Sequence, residues 1–194
     1  MRAFITGVLL TIVAILGGIY LLLNQGKFPV GADNPPSRLE RSLANMAVDQ
    51  YVERNAPKQS NPMAANVENL TAGARAYEQN CSFCHGGAAR RISPMRTKFN
   101  PPVPQIINHI PGDPDANLFW VTKHGIRMSG MPTWDGILSD NQIWQIIAFV
   151  KNSGKLPPEV QQAWQQVAAS PTSAPSNPVA APAGTATPSA PPQQ

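Results

Sequence analysis

The chain is poor in most of what an enzyme active site is built from. Its 194 residues hold two cysteines, three histidines and 11 acidic side chains. No nucleophile–base pair stands out, and neither does a carboxylate pair suited to acid–base work. Two cysteines are too few for a multi-bridge disulfide framework. The basic residues are scattered, with no run beyond Arg90-Arg91, and the net charge is only +4. That excludes the basic stripe nucleic acid binding needs and leaves a solvated surface with some use in docking an acidic partner. No period-two strand pattern is present, and there are no internal repeats. Long hydrophobic runs are absent except for one, at the N-terminus.

That run, residues 4–23, has no charge over about 20 residues, the length of a helix that crosses the hydrocarbon core of a bilayer. Arg2 and the terminal amine precede it, and Lys27 is the nearest charge after it. The positive end stays in the cytoplasm, so the rest of the chain is expected on the periplasmic or extracytoplasmic side of the cytoplasmic membrane, on a single-pass anchor. A cleaved signal peptide is the competing reading. Its apolar region is normally shorter, although Val30-Gly31-Ala32 is a passable cleavage site.

The expected organisation is an anchor over 1–23, a linker over 24–65, a globular domain over 66–169 and a tail over 170–194. A helix over 37–54 is predicted inside the linker. Ser37 caps it, and Leu39, Leu43 and Met46 or Ala47 share a face. A Pro-punctuated stretch, 56–62, follows. Within the domain, helices are predicted over 67–80 with Asn66 as cap, 116–124, 139–151 with a Ser139/Gln142 capping box, and 157–169. The long stretch 86–115 reads as loop. Gly73 in mid-helix costs about 1 kcal/mol against Ala, which close approach by another helix would justify. The tail is Pro, Ala, Ser and Thr, without charge or core-forming residues, and is expected to be disordered. A core of roughly 100 residues is marginal by itself and gains from a large apolar cofactor.

The chemistry is concentrated in Cys81-Ser82-Phe83-Cys84-His85. C-x-x-C-H is the pattern of c-type haem attachment. Two thiols about one helical turn apart can add across the two vinyl groups on one porphyrin edge, and the adjacent imidazole then meets the iron. The rivals lack support. A redox C-x-x-C usually accompanies a βαβ pattern. A zinc site needs two further ligands, and nothing positions His109 or His124 for that. One haem c, held through two thioethers, is the expected cofactor.

With these residues in view, 70–152 resembles a class I cytochrome c domain. Gly73 and Tyr77 precede CSFCHG, a Pro-rich loop and GMPTW follow, and LSDNQIWQIIAFVKN closes the segment. The N-terminal anchor and Glu40, Arg41 and Ala44 extend the likeness to membrane-anchored bacterial monohaem cytochromes. The resemblance implies an all-α fold of three to five short helices around the haem. It implies that Gly73 and Tyr77 sit where the first helix of the domain crosses the last, against 143–149. It also aligns Pro104-Gln105-Ile106 with the element whose Pro carbonyl accepts a hydrogen bond from the proximal His and whose aliphatic residue packs on haem. The loop before Pro104 is longer than in small family members, which leaves Pro102 open for that role. Trp120, Trp134 and Trp144 read as core filling.

Four side chains are candidates to meet the iron opposite His85: Met128, Met131, His109 and His124. Met131 is favoured. Pro132 pushes it into an extended conformation, Gly130 permits close backbone approach, and the resemblance points to the Met before Pro. His85 and Met131 are thus the expected metal ligands. Two axial ligands leave no open position, so single-electron transfer between redox proteins is expected, with no catalytic residues, small-molecule substrate or nucleic acid. Two other functions remain in view: a fixed haem subunit of a larger respiratory complex, and a peroxidase or gas sensor with a labile sixth ligand.

Overall fold

A computed structural model describes residues 1–27 and 29–170. The 170–194 tail therefore lies outside the described residues, apart from Ser170. Among the described residues there are no strands; seven α-helices and one 3-10 turn make an all-α protein. They are α1 (Arg2–Asn24), α2 (Arg38–Asn55), α3 (Val67–Asn80), α4 (Ser82–His85), the 3-10 turn Pro94–Thr97, α5 (Asp115–His124), α6 (Asp140–Asn152) and α7 (Pro158–Ala169).

Local chemistry sets the helix starts. Ser37 and Ser139 each form a full capping box, with Glu40 and Gln142 respectively, and Asn66 accepts from the Asn69 N–H. Each box satisfies two of the orphan groups at a helix start. α7 opens on Pro158, whose missing N–H costs nothing in the first turn.

The core forms where α3 crosses α6 and α7. Leu70, Gly73, Ala74 and Tyr77 are all buried on α3, and Ile143, Ile146, Ile147 and Val150 are buried on α6 in the same core. A Cβ on Gly73 would collide with the Gln145 carbonyl oxygen, so glycine is what lets the two backbones meet. Tyr77 and Phe149 pack with ring centroids 5.4 Å apart. Trp164 on α7, among the largest fully buried side chains, meets Phe149 edge-on at 5.0 Å. α7 is thus part of the core.

The stretch before α3 touches the domain at a few points. Within 56–62, Ala56 is buried and Asn61 donates through Nδ2 to the Trp144 carbonyl at 3.0 Å, while Lys58, Gln59, Ser60 and Pro62 are exposed. Of the faces of α2, the one that meets the domain carries Val52, with Tyr51 edge-on to Trp120 at 5.6 Å. Leu39, Leu43 and Met46 are exposed. α1 is apolar, long enough to cross a membrane, and buries no residue.

Candidate haem site

α3 delivers Cys81 at its C-cap, and the chain turns at once into α4, one turn that carries Cys84 and His85. That short helix was not foreseen; four residues are too few for periodicity to show. Three carbonyls of the segment are each met by a side chain from elsewhere. Ser93 Oγ donates to Phe83 O at 2.5 Å, Gln105 Nε2 donates to Cys84 O at 3.1 Å, and the Tyr77 hydroxyl donates to Gly86 O at 2.6 Å. Burial pushes the Tyr77 phenol well above its ordinary pKa, with Cys81 and Glu78 adding to the effect, which keeps it a neutral donor. Buried Gln105 also accepts from the Ser93 N–H at 2.6 Å and donates to Val103 O at 3.1 Å. Gln105 thus joins the 93–105 loop to α4. Its role was missed because a lone Gln among prolines carries no sequence signal.

His85 is half-buried, and its Nδ1 lies 2.8 Å from the Pro104 carbonyl oxygen. A carbonyl only accepts, so Nδ1 carries the proton and Nε2 is left as the free lone pair. Desolvation holds the imidazole below its usual pKa, partly offset by the Pro104 bond. A neutral imidazole with Nε2 free is what metal ligation requires. The bond falls to Pro104; Pro102 is exposed and has no such contact.

One cavity of about 980 Å³ brings the expected residues together. Cys81, Cys84, His85, Pro104, Ile106 and Met131 all line it, with Leu118, Ile147, Val150 and Trp134 among its apolar walls. The volume is at the upper end of the range for cofactor pockets, and the mostly apolar lining suits a flat macrocycle. The donor set fits haem c: two free thiols, one committed imidazole and one thioether on the same cavity. It does not fit a redox dithiol, which needs an exposed thiol with a lowered pKa. Cys81 is buried and pushed up to about 12 by that burial, with Cys84 and Glu78 adding. Burial raises Cys84 too. Nor does it fit zinc: no cluster of three or more His, Cys, Asp and Glu is present among the described residues.

The four candidates for the second ligand separate. Met131 lines the cavity and is partly buried. Met128 is 92% exposed, with a φ of 57°. His124 is exposed, its ring 4.7 Å from that of Trp120, while His109 is exposed at the cavity rim. The loop holding Met131 is closed by Ile126 N–H to Met131 O at 3.1 Å and by Met131 N–H to Ser129 Oγ at 3.1 Å. Gly130 is explained by the Phe99 ring, which occupies the space its Cβ would take. Of the three tryptophans expected to fill the core, Trp144 does so and stacks on Phe119 at 4.2 Å; Trp134 lines the cavity, and Trp120 lies under α2.

Comparison with known proteins follows the same segment. Residues 68–150 match the family model described as cytochrome c oxidase, cbb3-type, subunit III. The chain is 28% identical over 82 residues to a cytochrome c6 of Bryopsis maxima, an alignment covering 42% of this chain and 88% of that protein. No solved structure matches it significantly. Both matches are to cytochromes c, and they support a c-type cytochrome domain here. α1, α2 and α7 lie outside the matched residues.

Proposed function

We propose that the protein is a membrane-anchored monohaem c-type cytochrome that passes single electrons between redox proteins at the outer face of the cytoplasmic membrane. The observation that carries this reading is the convergence of Cys81, Cys84, His85 and Met131 on one cavity, with His85 Nδ1 committed to Pro104. A haem bound there supplies a one-electron iron couple. Cys81 and Cys84 would hold its edge through thioethers. Pro104 fixes the tautomer and ring direction of His85, so that Nε2 would be the nitrogen that holds the metal. Met131 would supply a thioether ligand to the same group, which favours the reduced state. Ile106 and the apolar walls keep water from the ring. A haem held by both His85 and Met131 would leave no place for a substrate, which suits a carrier.

The test is retention of haem. The purified protein should keep its haem through acid–acetone extraction and denaturing electrophoresis, and show no free thiol. Haem lost in the gel would sink the reading. For the anchor, protease added to intact spheroplasts should digest the domain, and the membrane-bound form should begin at or near Met1. A mature start near Asp33 would make it a soluble protein.

A second reading is a fixed haem subunit of a larger respiratory complex. It is favoured by the exposed Leu39, Leu43 and Met46 face of α2 and by a family model that describes an oxidase subunit. Co-purification of stoichiometric partners after mild detergent extraction would select it over a free carrier.

A further inference from the structure

Glu78 is a buried carboxylate that electron transfer as described does not employ. It sits on α3 just under one turn before Cys81, is 6% exposed, and lines the same cavity. Its Oε2 accepts from Trp164 Nε1 at 2.5 Å and from the Ala88 N–H at 3.2 Å. A Cβ on Gly87 would come within 2.6 Å of its Oε1. Both donors are neutral. The ion pairs among the described residues are made by Lys123 and Lys151, and none involves Glu78. Arg91 lies against the indole: its guanidinium carbon is 5.4 Å from the Trp164 ring centroid. Arg75 on α3, Glu159 on α7 and Arg90 in the adjoining loop are exposed, and Lys151 on α6 faces Asp115.

Burying a carboxylate without a cationic partner is expensive. The two hydrogen bonds do not require it, because the carbonyl oxygen of a glutamine would accept both. What the carboxylate alone adds is a fixed negative charge beside the cavity. We propose that Glu78 sets the reduction potential of the haem assigned above, its charge favouring the oxidised state, with Trp164 and the Ala88 N–H as the groups that hold it in place. The inference rests on the haem reading. The step it acts on is the uptake of one electron from a redox protein partner, Fe(III) to Fe(II); no bond forms or breaks, and the site's net charge falls by one. At roughly 10 Å and an effective dielectric constant near 20, a unit charge changes such an equilibrium by about tenfold.

The experiment is a spectroelectrochemical titration of the full-length, haem-loaded protein. Glu78→Gln keeps both hydrogen bonds and removes the charge. Its ferric/ferrous equilibrium should shift about tenfold toward ferrous, or about 59 mV upward for one electron, with the optical spectrum unchanged and the melting temperature equal or higher. Glu78→Met, a neutral side chain of similar volume, should rise in parallel and provides the reading should the Gln variant fail to hold haem. Glu78→Asp, which keeps the charge, should stay near wild type. Arg91→Gln should shift the other way and by less, since Arg91 is exposed and screened. A neutral variant that keeps its haem yet stays within twofold of wild type would overturn the inference and leave the haem reading standing, as would an Asp variant that moves as far as the Gln variant. A wild-type protein without covalent haem would overturn both.

Discussion

The two loops that bring candidate ligands to the cavity are built differently. Around His85, four buried side chains from both flanking segments hold the backbone: Tyr77 on Gly86, Ser93 on Phe83, Gln105 on Cys84, and Glu78 on the Ala88 N–H. Around Met131, the bonds are local. Ile126, Ser129 and Met131 bond among themselves, and Met128 projects into solvent at positive φ. The outer anchor of this loop is Lys123, whose carbonyl accepts from Thr133 Oγ1 at 2.7 Å and whose Nζ meets Asp140 at 2.7 Å. Backbone held from several directions opens at a cost close to global unfolding, whereas locally bonded, exposed loops open cheaply. The comparison teaches that the His85 side is pre-organised and the Met131 side is the one able to yield.

Breaking the covalent side should have the largest effect. With Cys81→Ala and Cys84→Ala combined, no haem should remain on a denaturing gel, and little holoprotein should accumulate. A haem-staining band in that variant would mean attachment elsewhere. Next comes Gln105→Leu, which leaves the Ser93 N–H and the Cys84 carbonyl without their partner. A loss of about 3 kcal/mol follows, on the order of 10–15 °C in melting temperature for a domain of this size. A fall of only a degree or two would show that the His85 side is no better held than the other.

The Met131 side should report through the iron more than through stability. Met131→Ala should abolish the weak red absorption band of Met-ligated ferric haem and let the ferrous protein bind carbon monoxide at neutral pH, while Met128→Ala should do neither. If the two behave the other way round, Met128 is the ligand; a wild type lacking the band would point to a histidine. The smallest effect belongs to Lys123→Met. Its pairs with Asp140 and Asp135 are solvent-exposed, so stability should change by no more than about 1 kcal/mol. A larger fall in the melting curve would show that the Met131 loop depends on that anchor.

Most helices could be foreseen because their ends carry local chemistry. The capping residues Ser37, Asn66 and Ser139 start helices where they stand. Gly73 could be traced to a helix crossing because a mid-helix glycine needs a reason. Cys81, Cys84 and His85 could be named because C-x-x-C-H is a contiguous pattern. Gln105, Glu78 and Trp164 escaped because each acts on a partner far along the chain: Gln105 on Cys84, and Trp164 on a carboxylate that precedes it by 86 positions. No periodicity or motif marks such pairs.

The sequence by itself determined the all-α class, the apolar N-terminal helix, the starts of the capped helices and the C-x-x-C-H pentapeptide. These follow from hydrophobic period, capping chemistry and residue order, which act within a few positions. Only the tertiary structure decided the rest. It gave the His85 bond to Pro104 rather than Pro102, set Met131 on the cavity with Met128 in solvent, and placed Val52 rather than Leu39 or Leu43 against the domain. It also folded α7 back so that Trp164 holds Glu78. Each of these is a choice between side chains of similar kind on neighbouring turns or loops. Such choices are settled by which of them the packed core leaves room and a hydrogen-bond partner for.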